Sequence, residues 1–330
     1  MSSPVFNLPG HSDILDAAQR LAGHAVRTPL LRNDVLDEQV GARIFVKAEC
    51  LQRTGSFKFR GAYNRISRLN AEEKQRGVIA YSSGNHAQGV AAAARLVGTH
   101  ATILMPTDAP AAKVEGVRFW GGKVVTYDRV SESREAIGAR IAAEEGRILV
   151  PPYEDRFIIA GQGTAGLEMV EEMAGLGLAP DIVAAPAGGG GLIAGTGLAV
   201  KHAHPDAQIW AAEPAEFDDH RRSLEAGERV ANARLTGSIC DAIITPTPGE
   251  LTWQLNARQL SGGVAVSDDE VLAAMAFAWR HFKIVIEPGA VVALAGVLSG
   301  KLDVAGKTVC VLATGGNVDR AVFARALELG

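Results

Sequence analysis

Between Val78 and Val150 the hydrophobic pattern switches repeatedly between two periods. Short apolar runs at Val78–Tyr81, Thr102–Met105, Lys123–Tyr127 and Arg147–Val150 read as strands. The stretches between them, an alanine-rich one ending at Val97, then Ala111–Trp120 and Ser133–Glu145, read as helices. Such alternation with short turns predicts a parallel sheet with helices on both faces. A similar series runs from Gly163 to the end, with strands at Asp181–Ala185, Gln208–Ala212 and Thr308–Leu312 and helices from Leu192 and Asp268. Ahead of both lie a helix at Ser12–Ala22 with Ser12 as its cap, a strand at Ala42–Lys47 and a helix from Ser56 to Leu69. At 330 residues there is room for two such units. The expected class is α/β, with two open, twisted, mostly parallel sheets. Arg221–Thr252 has few periodic signals and reads as loops with short helices.

Composition removes several function classes. Only 5% of the chain is aromatic, and no Lys/Arg run interleaves with aromatics, so no nucleic-acid partner is expected. The longest apolar run, near Ile284–Leu298, is broken by Glu287, Pro288 and glycines, so no membrane span is expected. Met1–Gly10 lacks the charged and apolar regions of a signal peptide. Cys50, Cys240 and Cys310 lie far apart with no CxxC pair, which predicts free thiols and a cytoplasmic location.

Two stretches carry chemistry. In Gly55-Ser56-Phe57-Lys58-Phe59-Arg60-Gly61 a lysine stands between two aromatics. Apolar neighbours that desolvate an ammonium lower its pKa, and the free amine then attacks carbonyls as a Schiff-base lysine does. The bland alternative is a lysine near a helix start that points to solvent. The second stretch, Gly188-Gly189-Gly190-Gly191, follows a predicted strand and opens a helix. Consecutive glycines let the backbone approach an anion, and the helix N-terminus supplies N–H groups and a positive dipole end. This is a phosphate cradle. A rival reading takes Gly189-x-Gly191-x-x-Ala194 with Glu213 as a dinucleotide fingerprint, which would make the chain a nicotinamide-dependent oxidoreductase. Against it, Glu216, Asp218 and Asp219 crowd Glu213 with negative charge that suits a divalent cation better. A phosphate-binding module without chemistry would have no use for Lys58.

Taken together, Thr54–Ala62, Ser82-Ser83-Gly84-Asn85-His86 with Ala87-Gln88-Gly89, Ala160–Thr164, the tetraglycine loop, Glu287–Ala290 and Thr314-Gly315-Gly316-Asn317 resemble the fold-type II pyridoxal phosphate enzymes, the family of threonine and serine dehydratases and serine racemases. The resemblance covers almost the whole chain, with the motifs in family order. Thr314 stands where serine is common. The resemblance implies a tryptophan synthase β-like fold. Residues 71–150 would form a small mobile domain, and 1–70 with 151–330 the large cofactor-binding one. It implies that Lys58 holds pyridoxal 5'-phosphate and then serves as the Cα base, with Phe57 beside the cofactor. The amides of Gly188, Gly189, Gly190 and Gly191 would hold its phosphate, Asn85 its phenolic oxygen and Thr314 its pyridine nitrogen. Ser82, Ser83 and His86 would meet the substrate, with Ser83 on the face opposite the lysine as in the racemases and His86 more structural than acid–base. Arg134 matches an arginine near the substrate in serine racemase. Glu213, Asp219 and the Phe217 carbonyl match a divalent-cation site, with Mg²⁺, Ca²⁺ or Mn²⁺ as the ion. The implied reaction is elimination of water from L-threonine or L-serine, giving a 2-keto acid and ammonia. The alternatives within the family are a serine racemase and a 3-hydroxyaspartate dehydratase, for which Arg134 is the visible cation. The family suggests a homodimer.

Overall fold

Strands that are apolar along their whole length belong in the middle of a parallel sheet covered on both faces, and the computed structural model places them there. It describes residues 7–82, 84–109, 111–128 and 131–329. The strands are β1 (Leu30–Arg32), β2 (Arg43–Lys47), β3 (Val78–Tyr81), β4 (Ala101–Pro106), β5 (Lys123–Tyr127), β6 (Ile148–Leu149), β7 (Ile182–Pro186), β8 (Gln208–Pro214), β9 (Gly262–Val266) and β10 (Thr308–Leu312). One sheet has the order β1-β2-β10-β7-β8-β9 and the other β5-β4-β3-β6. All pairings are parallel except β1 with β2. Every residue of β4, β7 and β10 is buried. The smaller sheet comes entirely from residues between 71 and 150, and the larger one from outside that range. Among the described residues no helix is long and apolar enough to cross a membrane.

Several elements differ from the sequence reading. The first helix is His11–Leu21, capped by Gly10 rather than Ser12, and the Asp13 carboxylate accepts the Gly10 N–H at 2.8 Å. A 20-residue helix, Arg156–Gly175, occupies the approach to β7, where the sequence reading names no helix. Asp155 caps it by accepting from the N–H groups of Phe157 and Ile158. Its glycine-rich run reads poorly as helix because glycine is about 1 kcal/mol worse than alanine there. Close packing explains the run: a Cβ on Gly195 of the facing helix would stand 2.3 Å from the Ile159 carbonyl oxygen.

The lysine stretch is anchored from below. Arg60, two residues after Lys58, is wholly buried. Its guanidinium donates to both carboxylate oxygens of Glu49 at 2.8 Å and to those of Glu168 at 2.7 and 2.8 Å. Burial alone would raise the Glu49 carboxyl; the Arg60 guanidinium outweighs it and holds Glu49 below the usual carboxylate range. Lys47, also wholly buried, pairs with Glu168 and Glu172 at 3.1 and 2.9 Å. All three cysteines are free and buried. Burial pushes the thiols of Cys50 and Cys240 up to about 12, and that of Cys310 up further.

Candidate functional site

A cavity of about 380 Å³ lies where the two sheets meet. Phe57, Lys58, Ser82, Asn85, His86 and Arg134 line it, together with Gly188–Gly191 and Thr314. Ser83 lies outside the described residues. Glu213, Phe217 and Asp219 do not line the cavity; they are buried together behind the glycine loop.

Lys58 is the first residue of the helix Lys58–Ile66, so its side chain leaves a fixed point at the cavity floor. Its Nζ donates to the Pro152 carbonyl at 3.0 Å and stands 5.1 Å from the centre of the Phe57 ring. No carboxylate pairs with it among the described residues. Burial brings its pKa down to about 8, which leaves roughly a tenth of it as free amine at pH 7. The outward-pointing alternative is thereby removed.

The helices Asn85–Val97 and Gly191–Ala203 both begin at the cavity. Each presents unpaired N–H groups and a positive dipole end, so the cavity suits two anionic groups. The glycines of the second are required by their surroundings. Gly190 has φ +91°, and a Cβ there would meet the Asn256 amide at 2.6 Å and His220 Nε2 at 2.7 Å. A Cβ on Gly189 would lie 2.2 Å from the Tyr153 ring. Behind the loop, Thr252 Oγ1 donates to the Gly189 carbonyl at 2.6 Å and Asn256 Nδ2 to that of Gly190 at 3.3 Å. With their carbonyls held from behind, these peptides turn their N–H groups toward the cavity. A cradle that a single Cβ would fill, beside a depressed lysine, fits a cofactor carrying a phosphate and an aldehyde.

Asn85 is held on both sides. Asn317 Nδ2 donates to its Oδ1 at 2.8 Å, and its own Nδ2 donates to Glu287. Burial raises the Glu287 carboxyl to about 7, against the opposing effect of the Asn85 hydrogen bond. His86 is buried, with Nε2 2.9 Å from the Val150 carbonyl. Burial, and then the charge on Lys58, push its pKa down to about 3, so the ring is neutral and serves the wall. Thr314 is buried, and its carbonyl accepts from the Phe57 N–H at 3.1 Å, tying the C-terminal loop to the lysine loop. The Arg134 guanidinium lies 5.6 Å from the centre of the Tyr81 ring. Sequence reasoning missed Glu287, Asn317, Lys113 and Tyr153 as cavity residues. The first two sit inside motifs singled out from the sequence, but only the fold shows that they converge on Asn85. Nothing in the sequence marks Lys113, which lies 3.3 Å from Asp241 at the cavity wall, or Tyr153.

Glu287 yields a pH prediction for the cofactor-free protein. Its folded pKa, about 7, lies above its ordinary value near 4.5. The folded state therefore binds a proton between those values that the unfolded state does not, so this group's penalty eases as pH falls from about 8 toward 5. Thermal melts of wild type should rise over that window relative to Glu287→Gln, and parallel profiles would rule out the burial argument.

Glu213 turns away from the glycine loop's cavity side and accepts from the backbone N–H groups of His220 and Arg221 at 2.8 and 3.0 Å. It is thus not placed as a ribose-binding acid, and the dinucleotide reading fails on geometry. A profile for the family described as pyridoxal-phosphate dependent enzyme matches residues 21–315. An L-threo-3-hydroxyaspartate ammonia-lyase of Pseudomonas sp is 41% identical, over 97% of this chain and 99% of its own. One of Saccharomyces cerevisiae is 40% identical, over 97% of each chain. The solved structure of maize serine racemase superposes with a TM-score of 0.91 at 35% identity, again over 97% of each chain. Sequence match, sheet order and the lysine facing a glycine cradle agree, and the chain belongs to the fold-type II family of pyridoxal-phosphate-dependent enzymes.

Proposed function

We propose that the chain is an ammonia-lyase that removes water from 3-hydroxyaspartate, giving oxaloacetate and ammonia. The threonine or serine expected from the sequence is thereby set second to a dicarboxylate. The observation that carries this is the pair of cationic side chains, Arg134 and Lys113, on the wall of a cavity whose helix N-termini already provide for one phosphate and one carboxylate. The names of the relatives from Pseudomonas sp and Saccharomyces cerevisiae support the same choice.

In this reading the Gly188–Gly191 amides hold the cofactor phosphate, Thr314 its pyridine nitrogen and Asn85 its phenolic oxygen. The cofactor, when bound, delocalises the charge left on Cα. Lys58 is the base: its amine takes the Cα proton, and Phe57 and Pro152 fix the approach of Nζ. The 3-hydroxyl then departs as water, taking up the proton that Lys58 has just received, and the resulting enamine hydrolyses to keto acid and ammonia. Ser82 and the amides at the start of the Asn85–Val97 helix hold the α-carboxylate, and Arg134 meets the second one. Residues 71–150 move as a unit to close the cavity.

The test is a comparison of 3-hydroxyaspartate isomers with L-threonine and L-serine, measuring keto acid and ammonia. Arg134→Ala should lower kcat/KM for the dicarboxylate about 100-fold, in line with about 2–3 kcal/mol for a charge-assisted contact. For L-threonine it should change it less than threefold, by the same logic. Equal losses on both substrates, or a wild type that prefers threonine, would overturn the substrate assignment; racemisation of serine without keto acid would make the chain a racemase.

A further inference from the structure

Tyr153 stands between the two parts of the cavity that carry chemistry. It directly follows Pro152, whose carbonyl accepts from Lys58 Nζ at 3.0 Å. Its side chain packs on the glycine loop: a Cβ on Gly189 would stand 2.2 Å from its ring, and one on Gly191 3.0 Å from its own Cβ. The backbone is fixed as well. Two prolines precede it, and its carbonyl accepts the Asp155 N–H at 3.0 Å, just ahead of the helix Arg156–Gly175. A tyrosine seated this firmly ordinarily spends its hydroxyl on a protein partner. Tyr153 lines the cavity, and among the described residues its hydroxyl has no hydrogen-bond partner.

The charges around the phenol fix what it can bind. Burial, then Glu154 and Tyr81, push its pKa up, and Arg134 works against them. The group therefore keeps its proton at neutral pH and offers a donor. The influence of Arg134 and Tyr81 also says who its neighbours are. Arg134 opens the helix Arg134–Glu145, and its guanidinium lies 5.6 Å from the centre of the Tyr81 ring. All three side chains line the same cavity. A phosphate on the glycine loop already has backbone N–H groups and a helix end. A carboxylate beside Arg134 has two oxygens with about four acceptor sites, more than one guanidinium fork fills.

We propose that the Tyr153 hydroxyl is a specificity-determining donor that binds the second carboxylate of the substrate together with Arg134. The inference rests on the dicarboxylate reading above and names the residue that makes a second negative group preferred. Tyr153 comes to that carboxylate from the side of Lys58 and the glycine loop, and Arg134 from the side of the smaller sheet. L-threonine puts a methyl group at the same place. The hydroxyl is then left unpaired in the cavity wall, so the site selects against the monocarboxylate as well as for the dicarboxylate.

Tyr153→Phe keeps the ring on Gly189 and removes only the hydroxyl. The probes are succinate, which has the carbon skeleton and both carboxylates of the substrate, and butyrate, which lacks one of them. Calorimetric titration of the holoenzyme measures each. Succinate should bind the variant about tenfold more weakly than wild type, as for a lost hydrogen bond to a charged group, and butyrate should change by less than about twofold. On 3-hydroxyaspartate the loss should fall on KM rather than on kcat, because the contact is the same before and during the chemical step. Combined with Arg134→Ala, the loss of succinate affinity should differ from the product of the single losses, since two groups that share one carboxylate are coupled. Unchanged succinate binding, equal losses on succinate and butyrate, or independent losses in the double variant overturn the proposal. So does a fall in cofactor affinity in equilibrium dialysis, which would make the hydroxyl a phosphate donor. A wild type that does not prefer succinate to butyrate removes the dicarboxylate reading along with this one. A wild type that does, beside a Tyr153→Phe variant that binds succinate equally well, removes the role of Tyr153 alone.

Discussion

Lys58→Ala is expected to abolish turnover, with kcat falling by about 10⁴-fold or more, because one group serves as both covalent anchor and base. The geometry argues against replacement by a neighbour: His86 lines the same cavity, but its ring is neutral, buried and bonded to Val150. The variant should still bind pyridoxal phosphate, since the Gly188–Gly191 cradle does not involve the lysine. Equilibrium dialysis should therefore show retained but weakened binding, and borohydride should fix cofactor to wild type at the peptide containing Lys58 and not to the variant. In cofactor-free wild type the rate of covalent capture should climb through pH 8, as the amine loses the proton that burial has already loosened. Capture that is flat with pH, or label on another peptide, would place the reactive amine elsewhere.

Arg60→Met should produce the largest loss of stability. The substitution roughly keeps the volume of the side chain but strips the fully buried Glu49 carboxylate of its paired guanidinium, leaving only the Thr28 hydroxyl at 2.6 Å and the more distant Lys47 charge. Removing one member of a buried pair costs about 3–5 kcal/mol, mostly as the penalty of the stranded partner. For a chain of this size that is a fall of roughly 5–15 °C in melting temperature. Adding Glu49→Gln should recover part of the loss, because the stranded charge is gone. The sign with pH is fixed by the depressed carboxyl: the stabilisation from Glu49 is complete above its ordinary pKa and is lost as pH falls through the lower folded value. A single variant that melts within 2 °C of wild type, against the roughly 5–15 °C expected here, would mean that Glu49 has other relief.

The alternating strands and helices were legible because period-2 and period-3.6 patterns survive burial, and strands β3, β4, β5, β7, β8 and β10 lie where the pattern puts them. Elements built on close approach were not. β9 begins Gly262-Gly263, and glycine carries no strand preference; the helix Arg156–Gly175 hides behind glycines that serve helix contact. The site divides in the same way. Lys58 and the glycine loop announce themselves by local chemistry. Glu287 matters through what faces it, Asn85, and such facing is set by tertiary packing alone.

The buried thiols give the molecule an internal clock. A thiol-directed reagent reacts with thiolate, and thiols held near or above 12 in closed surroundings offer almost none. Labelling therefore waits on opening of the chain, and each cysteine times a different opening. Cys50 lies beside the lysine loop, Cys240 before the short turn Asp241–Ile243 at the cavity, and Cys310 in a central strand. The order in which they react reads out which part of the protein lets go first.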